Sequence, residues 1–490
     1  MLTSKYGCSP NNHHCHNHNM NSDFSESLSD PIFRRVGEAA DSLGHECYVV
    51  GGFVRDIILG RHSKDIDFVT VGSGIELAKV VGKSLGRCRV NTFRNYGTAH
   101  IKRGGLELEF VGARRESYHR ESRNPVVEDG TLEEDISRRD FTINAMAINV
   151  ATRQFVDPYG GLEDLADRMI RTPSTPEISF SDDPLRMMRA VRFVAQLGFG
   201  IEPETAEAIC TMADRLGIVS AERVRDELVK LLLSDRPRAG IEAFVDSGLA
   251  DVVFPEIPAL QLEIDEHHRH KDVFEHTMIV IDRAVALETG PDGPVPAPDL
   301  TLRLAALMHD IGKPKTRRFE AGGKVSFHHH DAVGAKMTRK RLKALRFDHH
   351  VVDDVSELVN LHLRFHGYVD EPWTDAAVRR YVKDAGPLYE RLNRLTRADA
   401  TTQNRRKALV FKTAMDEMEE RVRALKEQED FNAIRPDING NEIMQELGLE
   451  PGPQVGAAYR HMLDYRLDNG PVGREEALAE LHRWYDAQQQ

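Results

Sequence analysis

The sequence predicts an α+β fold, in which a small mixed β-sheet is followed by an extended all-α body. Short apolar strands such as Cys47 to Val50 and Asp65 to Val69 alternate with helical spacing up to residue 157. After Pro158 the apolar spacing is helical almost without interruption. A length of 490 residues predicts about three domains at ~150 residues each.

The composition excludes several classes of protein. Hydrophobic residues make up 40% and charged residues 29%, which is typical of globular chains. No apolar run approaches the ~18 residues of a spanning helix, and no secretory signal is visible, so we expect a cytoplasmic protein without membrane contact. The 5 cysteines are scattered without a CxxC, which indicates neither a disulfide framework nor a zinc ribbon. A net charge of -13 leaves room for a local basic groove.

The predicted elements follow from periodicity and turn residues. Strands alternate in period two, helices repeat apolar residues every three to four positions, and glycine or proline separates them. The head has predicted helices at 32–43, 54–59 and 75–85 and predicted strands at 47–50, 65–69, 100–102, 106–111, 143–150 and 154–156. Helices then follow at 185–197, 203–216, 221–233, 239–247, 274–287 and 300–310. A Pro/Gly-rich loop at 290–298 marks a second helical unit.

Two aspartates one residue apart give the first candidate site. Strand periodicity places Asp65 and Asp67 on one face, where two carboxylates can hold Mg²⁺ and share it with substrate phosphates. Glu107 and Glu109 also share a face, and either could be a third acid; Glu109 is our prediction. Upstream, Gly51 and Gly52 form a turn whose backbone can approach a phosphate, and Arg55 can pair with a triphosphate.

The order of these segments resembles bacterial CCA-adding tRNA nucleotidyltransferases, within the family that also contains bacterial poly(A) polymerases. The resemblance rests on GGFVRD, KDIDFV, RRDFTINAMA, DPYGGLEDL, DDPLRMMRAVRF and AERVRDEL, between about residues 45 and 235. It implies metal binding by Asp65 and Asp67, with triphosphate contacts from the Gly-Gly turn and Arg55. It also implies nucleotide contacts by the following residues: Arg138, Arg139, Asp140 and Asn144. Ala145-Met-Ala147 after Asn144 favours the CCA-adding branch over the poly(A) polymerases.

The resemblance also implies a device that selects the base. Asp183 and Arg186 match the pair that reads the Watson-Crick edges of CTP and ATP, and Arg189 lies one helical turn further on. Three residues apart on a helix, a carboxylate and a guanidinium would form a fixed donor and acceptor pair. Asp182 stands where the family usually has glutamate. Downstream basic residues, including Arg192, could follow the phosphates of a tRNA acceptor arm.

A second constellation combines histidine and aspartate. His276, His309, Asp310 and Asp399 resemble the four metal ligands of the HD phosphohydrolase domain, and imidazole with carboxylate suits a divalent transition metal. The resemblance also places Lys313 near a phosphate and gives His330, His362 and His366 the spacing of ligands for a second metal. A non-catalytic domain that braces tRNA is the alternative interpretation.

The predicted domain organisation combines both resemblances. A disordered His/Asn-rich tail (1–30) precedes a nucleotidyltransferase head (31–157), a helical neck and body for nucleotide selection and RNA binding (158–265), an HD domain (266–405) and a C-terminal helical segment (406–490). We expect template-independent addition of CCA to the tRNA 3′ end from CTP and ATP, with pyrophosphate released and no DNA partner. The alternatives are CC addition, A addition, poly(A) synthesis, mainly HD phosphohydrolase activity, and tRNA binding without catalysis.

Overall fold

A computed structural model describes residues 24, 26–86, 88–94, 97–119, 122–262, 272–320, 325–370, 373–401, 404–428 and 435–489. The chain divides into two compact units, Met1–Pro255 and Glu256–Gln490. No helix among these residues is long and apolar enough to cross a bilayer. The α+β fold class is confirmed.

The first unit is built on a mixed sheet of seven strands in the described residues, ordered β3-β4-β5-β2-β1-β8-β9. Its strands are β1 (Cys47–Val50), β2 (Asp65–Thr70), β3 (Val90–Phe93), β4 (Thr98–Arg103), β5 (Leu106–Gly112), β8 (Ala147–Asn149) and β9 (Phe155–Val156). Only β2 and β5 pair in parallel, and the other neighbours are antiparallel. Strands β6 (Arg114–His119) and β7 (Ser122–Asp129) form a separate antiparallel ribbon that the sequence analysis missed.

Three short helices pack on or beside this sheet. They are α1 (Pro31–Leu43), α2 (Gly52–Ile58) and α3 (Gly74–Ser84), with α4 (Leu132–Ser137) following the ribbon. Asp30 caps α1 by accepting a hydrogen bond from the Ile32 amide at 2.8 Å. The rings of Phe68 and Phe110 stack at 5.0 Å in the fully buried core between β2 and β5. This stack joins the two strands that carry the candidate acids.

Helices make up most of the rest of the first unit. They are α5 (Gly161–Ala166), α6 (Pro176–Asp182), α7 (Leu185–Leu197), α8 (Pro203–Met212), α9 (Ala221–Leu232), α10 (Pro237–Asp246) and α11 (Leu249–Val253), with a small parallel pair formed by β10 (Met169–Ile170) and β11 (Gly200–Ile201). Helix α7 is buried along most of its length and is capped after Leu197 by Gly198, whose φ of 71° is left-handed. Helices α9 and α10 pack against it.

In its described residues, the second unit consists of helices and the short ribbon formed by β12 (Arg318–Phe319) and β13 (Val325–Ser326). Its helices are α12 (Val273–Ala286), α13 (Leu300–Met308), α14 (Lys313–Thr316), α15 (His330–Ala344), α16 (His349–Leu361), α17 (His366–Asp370), α18 (Asp375–Ala385), α19 (Tyr389–Asp399), α20 (Arg405–Gln428), α21 (Gly440–Leu447), α22 (Pro453–Asn469) and α23 (Arg474–Gln489). Helices α12, α13, α16 and α19 pack on one another. Arg303 of α13 donates to Glu288 at 2.6 and 2.7 Å in a buried ion pair.

Three expectations from the sequence need correction or fall outside the described residues. The predicted strand 143–150 begins only at Ala147, because Thr142–Asn144 form a 3₁₀ turn in which Asn144 donates to Asp140. Most of the predicted tail, including its His-rich tract, lies outside the described residues. Its last part is ordered, since Leu28 is buried and Phe24 packs 5.4 Å from Phe155. The predicted boundary at 265/266 also lies outside the described residues.

Candidate active site and candidate metal centre

The parallel pairing of β2 with β5 aligns four carboxylates. Asp65 is opposite Glu107, and Asp67 is opposite Glu109. Because side chains alternate across a strand, these four point to the same face of the sheet. Glu107 is engaged by Lys102 and lies 3.4 Å from His100, whereas Glu109 lies in register with Asp67. This arrangement favours Glu109 as the third acid.

The electrostatics of Asp67 fit a divalent cation. Burial raises the pKa of the Asp67 carboxyl, and the negative charges of Glu109 and Asp65 raise it further, while Arg139 opposes the shift. Carboxylates crowded in this way repel one another until a cation neutralises them. Oxygen-only ligands suit Mg²⁺. Asp65, Asp67 and Glu109 therefore offer oxygen ligands for magnesium, although, unlike the ligand groups of the second unit, their carboxylate oxygens do not all lie within 4.8 Å of one another.

The glycine turn lies directly opposite these acids. Gly51 adopts a φ of 72°, which favours glycine, and it precedes helix α2. A Cβ at this position would lie 3.0 Å from Arg139 Nη1 and 3.4 Å from Asp67 Oδ2. The missing side chain leaves the turn open to a ligand between the guanidinium and the carboxylate.

A cavity of about 590 Å³ unites most of the predicted residues. Its walls come from the turn, the acid row, the 3₁₀ turn, α7 and α9. The lining residues are Gly51, Gly52, Arg55, Asp65, Asp67, His100, Glu107, Glu109, Arg139, Asp140, Asn144, Arg189, Arg192, Phe193 and Lys230. One end of the cavity is acidic and the other is cationic, as a metal-bound triphosphate requires.

A hydrogen-bonded chain orients the cationic end. Arg55 Nη1 donates to Asn144 Oδ1 at 2.7 Å, and Asn144 Nδ2 donates to Asp140 Oδ1 at 3.0 Å. Arg189 Nε donates to Asp140 Oδ2 at 2.7 Å. Although burial alone would raise the pKa of Asp140, Arg189, Asn144 and Arg186 hold it well below its ordinary value. Asp140 therefore stays ionised and holds the arginines in place.

The ring of Phe193 lies among three guanidinium groups. Arg192 lies 4.1 Å from the ring centroid, Arg55 5.3 Å and Arg189 5.8 Å. Cations are attracted to an aromatic face, so the ring adds to the carboxylates Asp140 and Glu227 in holding these like charges together. Phe193 was not predicted as a site residue.

Glu227 is the buried anion behind this cationic wall. It is 4% exposed and accepts from Arg192 Nε at 2.5 Å, while Lys230 and Arg189 lie at 3.6 and 4.0 Å. The sequence analysis missed its role. A signal was present, because Val224, Glu227, Leu228 and Leu231 share the buried face of α9, where a charge needs a partner.

The predicted base-reading pair has a different geometry from the one expected. Asp183 is not on the helix with Arg186: it ends α6 in an extended conformation and accepts from Arg223 at 2.8 Å. Arg186 donates to Ser179 Oγ at 2.8 Å and to the Arg138 carbonyl at 2.6 Å. Arg138 also pairs with Asp135. Proline at position 184 separates the two helices, so the pair on one helix face is a wrong prediction.

In the second unit, the four predicted HD ligands converge. Asp399 Oδ1 lies 3.0 Å from His276 Nε2 and 3.6 Å from His309 Nε2. The two imidazole Nε2 atoms are 3.2 Å apart, and Asp310 Oδ2 lies 3.2 Å from that of His309. His276, His309 and Asp310 form a group able to hold one metal ion. Lys313 Nζ donates to Asp310 Oδ2 at 2.6 Å.

A second group of possible ligands adjoins the first. Asp310, His330 and His362 also lie close enough together to hold an ion, so Asp310 belongs to both groups. The Nε2 atom of His362 is buried without a hydrogen-bond partner, and that of His330 is buried with Asp310 Oδ1 at 3.3 Å. Burial, followed by the charge of His309, lowers the pKa of His362 to about 4, which keeps its imidazole neutral. His366, in contrast, is exposed on α17 and outside both groups, which contradicts its predicted role.

The backbone fixes the orientation of the inward-facing imidazoles. Nδ1 of His309, His330 and His362 bonds to the carbonyl three residues earlier, at 2.9, 2.8 and 2.6 Å respectively. A carbonyl accepts only from a protonated Nδ1, so in the neutral imidazole the lone pair is on Nε2, the atom that faces the other ligands. Buried imidazole nitrogens and fixed tautomers fit a bound divalent metal.

Known protein families match segments of both units. The Poly A polymerase head domain matches residues 47–171, the probable RNA and SrmB-binding site of polymerase A matches 198–260, and the HD domain matches 273–404. The A-adding tRNA nucleotidyltransferase of Deinococcus radiodurans is 36% identical over 89% of this chain and 95% of its own length. The chain belongs to the tRNA nucleotidyltransferase family.

Other relatives differ in the activity they are named for. The CC-adding tRNA nucleotidyltransferase of Thermus thermophilus is 33% identical over 90% of this chain and 94% of its own. The CCA-adding enzyme of Lactobacillus gasseri is 39% identical over 46% of this chain and 54% of its own. The CCA-adding enzyme of Bacillus stearothermophilus in complex with CTP shares the fold with a TM-score of 0.66 at 22% identity, over 96% of this chain and 99% of that one.

The buried position of Glu227 yields a stability prediction. Glu227→Gln removes the anion that neutralises Arg192 and should lower the free energy of unfolding of the first unit by about 3 kcal/mol, because a buried cation is left unpaired. Urea denaturation measures the change. Glu222→Gln, on the exposed face of the same helix, should change it by less than about 0.5 kcal/mol. Equal effects of the two substitutions would contradict the assigned role.

The shared position of Asp310 yields a metal-binding prediction. Asp310→Asn should abolish retention of transition metal by the purified, dialysed protein, because Asp310 belongs to both groups of ligands. His362→Ala should remove only part of the bound metal. Elemental analysis gives the metal content per chain, and His366→Ala is the control expected to match the unsubstituted protein. Full metal content in Asp310→Asn would refute the site.

Proposed function

We propose that the protein adds nucleotides to the 3′ end of tRNA without a nucleic-acid template, building CCA from CTP and ATP. The observation that carries this proposal is the meeting of the Asp65, Asp67 and Glu109 row with the Gly51 turn and the Arg55–Asn144–Asp140–Arg189 chain in one cavity. Acids for a metal and cations for a triphosphate face each other there. The names of the relatives, all tRNA nucleotidyltransferases, agree with it.

In the proposed reaction, the oxygen of the terminal ribose hydroxyl forms a bond to the α-phosphorus of the nucleotide. The bond from that phosphorus to the bridging oxygen breaks, and pyrophosphate leaves. Glu109 accepts or orients the hydroxyl proton at the acidic end of the cavity. Arg55, Arg139 and Arg189 neutralise the phosphates at the other end. Mg²⁺ held by Asp65 and Asp67 would stabilise the attacking and leaving oxygens.

Nucleotide selection is assigned to the start of α7. Asp183 and Arg186 offer acceptor and donor atoms, and each is already held by a neighbour: Asp183 by Arg223 and Arg186 by Ser179. Fixed polar groups discriminate between bases because a mismatched edge would leave them unpaired. The basis for this role is the family resemblance, and the hydrogen bonds explain how the pair would be kept in position.

A narrower specificity is the alternative within the family. The full-length relatives are named for A addition and for CC addition, and CCA addition is the name at 39% identity over about half the chain. Either activity would use the same head. A nucleotide-addition assay is therefore needed to distinguish CCA, CC and A addition.

The second candidate function is hydrolysis of a phosphate ester at the HD site. In this reaction a water oxygen bonds to phosphorus, the ester bond breaks, and the departing alcohol oxygen takes a proton. The His276, His309, Asp310 and Asp399 cluster supports it, with Lys313 placed to neutralise the phosphate. A divalent transition metal held there would supply a water nucleophile at neutral pH. Candidate substrates are a 2′,3′-cyclic phosphate, a 2′-phosphate or a phosphomonoester.

The extension pattern tests the leading proposal. Incubated with Mg²⁺ and tRNA that ends at the discriminator base, the protein should add two residues with CTP alone and three with CTP and ATP together. Resolving the 3′ ends on a gel measures this. Asp67→Asn should lower the rate by at least about 10²- to 10³-fold, because a metal ligand acts in the transition state.

Each other outcome of that assay has a distinct meaning. Addition of A alone, and only to tRNA ending in CC, would replace the proposal with A addition, and growth that stops after CC would replace it with CC addition. Long A tails would indicate a poly(A) polymerase. Asp41→Asn, on the exposed face of α1, should leave the rate unchanged.

A separate comparison tests the third acid. Glu109→Gln should lower kcat by about 10²-fold or more, whereas Glu107→Gln should change it only a few-fold, since Lys102 already engages Glu107. Single-turnover rates measure both. A larger loss in Glu107→Gln than in Glu109→Gln would reverse the assignment.

A further inference from the structure

A cationic segment with an exposed aromatic ring leads away from the HD site. Between Ile311 and Phe319 the sequence IGKPKTRRF carries four basic side chains and no acid. Lys313 donates to the candidate ligand Asp310, so the segment starts at the metal centre itself. Lys315 and Arg318 are exposed. This concentration of positive charge, in a chain of net charge -13, favours a polyanionic partner.

Phe319 is exposed at the far end of this segment. Its side chain is 70% exposed, the largest fraction among the exposed large hydrophobic residues that the structure describes. The Arg317 guanidinium lies 4.7 Å from its ring centroid. An uncovered aromatic ring beside a guanidinium is the kind of platform on which the bases of a single strand stack.

The backbone connects this platform to the metal centre on its other side as well. Phe319 pairs with Val325 across the β12–β13 ribbon. Two residues after Val325, the Phe327 carbonyl holds His330 Nδ1 at 2.8 Å, and the Phe327 ring lies 5.7 Å from Lys313 Nζ. Both strands of the ribbon are thus tied to residues of the metal centre within a few positions.

A second basic segment begins a few residues after another contact of the same candidate metal centre. Thr401 holds His276 Nδ1 at 3.0 Å, and α20 begins shortly afterwards with Arg405, Arg406 and Lys407, all exposed. Further along the same helix Leu409 is 64% exposed. Two segments of the chain close in sequence to the candidate metal ligands therefore expose both cationic and apolar side chains. Binding of a small anion alone would not require the exposed apolar side chains.

We propose that the ribbon platform, Lys313 to Phe319, binds the single-stranded end of an RNA and directs its terminal phosphate into the HD site. The inference rests on the proposed hydrolytic function of that site and names its substrate class as an RNA end rather than a free nucleotide. Lys315 and Arg318 contact backbone phosphates, a base stacks on Phe319, and Lys313 meets the phosphate beside Asp310.

A local fluorescent reporter tests binding without requiring hydrolysis. Phe319→Trp places an indole on the platform of the full-length protein, and a short oligoadenylate is the probe. Stacking should quench the added fluorescence, and adding Arg318→Ala should weaken the apparent affinity by about threefold or more, since it removes one phosphate contact. Lys340→Ala removes an equal charge from the exposed face of α15 and should not weaken it. Phe93→Trp is the matched reporter on an exposed strand position of the first unit.

Hydrolysis kinetics test whether the ribbon platform contributes to the reaction of an RNA substrate. Phe319→Ala should lower kcat/KM for a short RNA with the hydrolysable terminus by about tenfold and leave the matching mononucleotide unchanged. Absence of quenching, or quenching equal to that of Phe93→Trp, would overturn the proposal. So would loss of a dimer on Phe319→Ala in sedimentation, which would make the ring a contact between copies of the chain. Quenching without hydrolysis of either substrate would support RNA binding by the ribbon platform and would contradict the proposed hydrolytic function of the HD site.

Discussion

The parallel register between β2 and β5 is the constraint on which the candidate active site depends. It places Asp67 beside Glu109 and Asp65 beside Glu107, and the stacked rings of Phe68 and Phe110 hold the two strands together beneath them. A slip of one residue would turn all four carboxylates to the opposite face. The acid row therefore rests on the buried core of the sheet as much as on the acids themselves.

Opposite this row, the charges of the cavity are neutralised in two layers. Asp140 holds Arg189 and, through Asn144, orients Arg55 at the cavity surface, and Glu227 neutralises Arg192 behind them. Phe193 fills the space where the three guanidinium groups approach each other. A cationic wall built in this way is preorganised for phosphates, so little reorganisation is required when a nucleotide binds.

In the candidate metal centre of the second unit, hydrogen bonds also hold the side chains in place before a ligand binds. Backbone carbonyl groups three residues earlier in the chain fix three imidazoles, and Asp310 is shared by two groups of ligands. Four basic residues, Lys313, Lys315, Arg317 and Arg318, follow Asp310 within eight positions of the chain. In the first unit, carboxylates and guanidinium groups likewise line one cavity, so each unit contains a candidate site for a phosphate beside a metal.

The sequence by itself determined the fold class and, to within about four residues, the bounds of nine helices between residues 31 and 310, because periodicity is a local property. Helix α7 lies where the spacing predicts it, and Gly51 is needed for a backbone angle that only nearby residues decide. The four HD ligands could be named only through a family resemblance, since 123 positions separate His276 from Asp399.

Tertiary structure alone decided the relations between distant elements. It excluded His366 from the metal-ligand groups and brought Glu227 to Arg192 from another helix, whereas the separation of Asp183 from α7 follows locally from Pro184. It also left Phe319 uncovered. Burial and pairing across long sequence separations depend on how the elements pack, and no local pattern of residues contains that information.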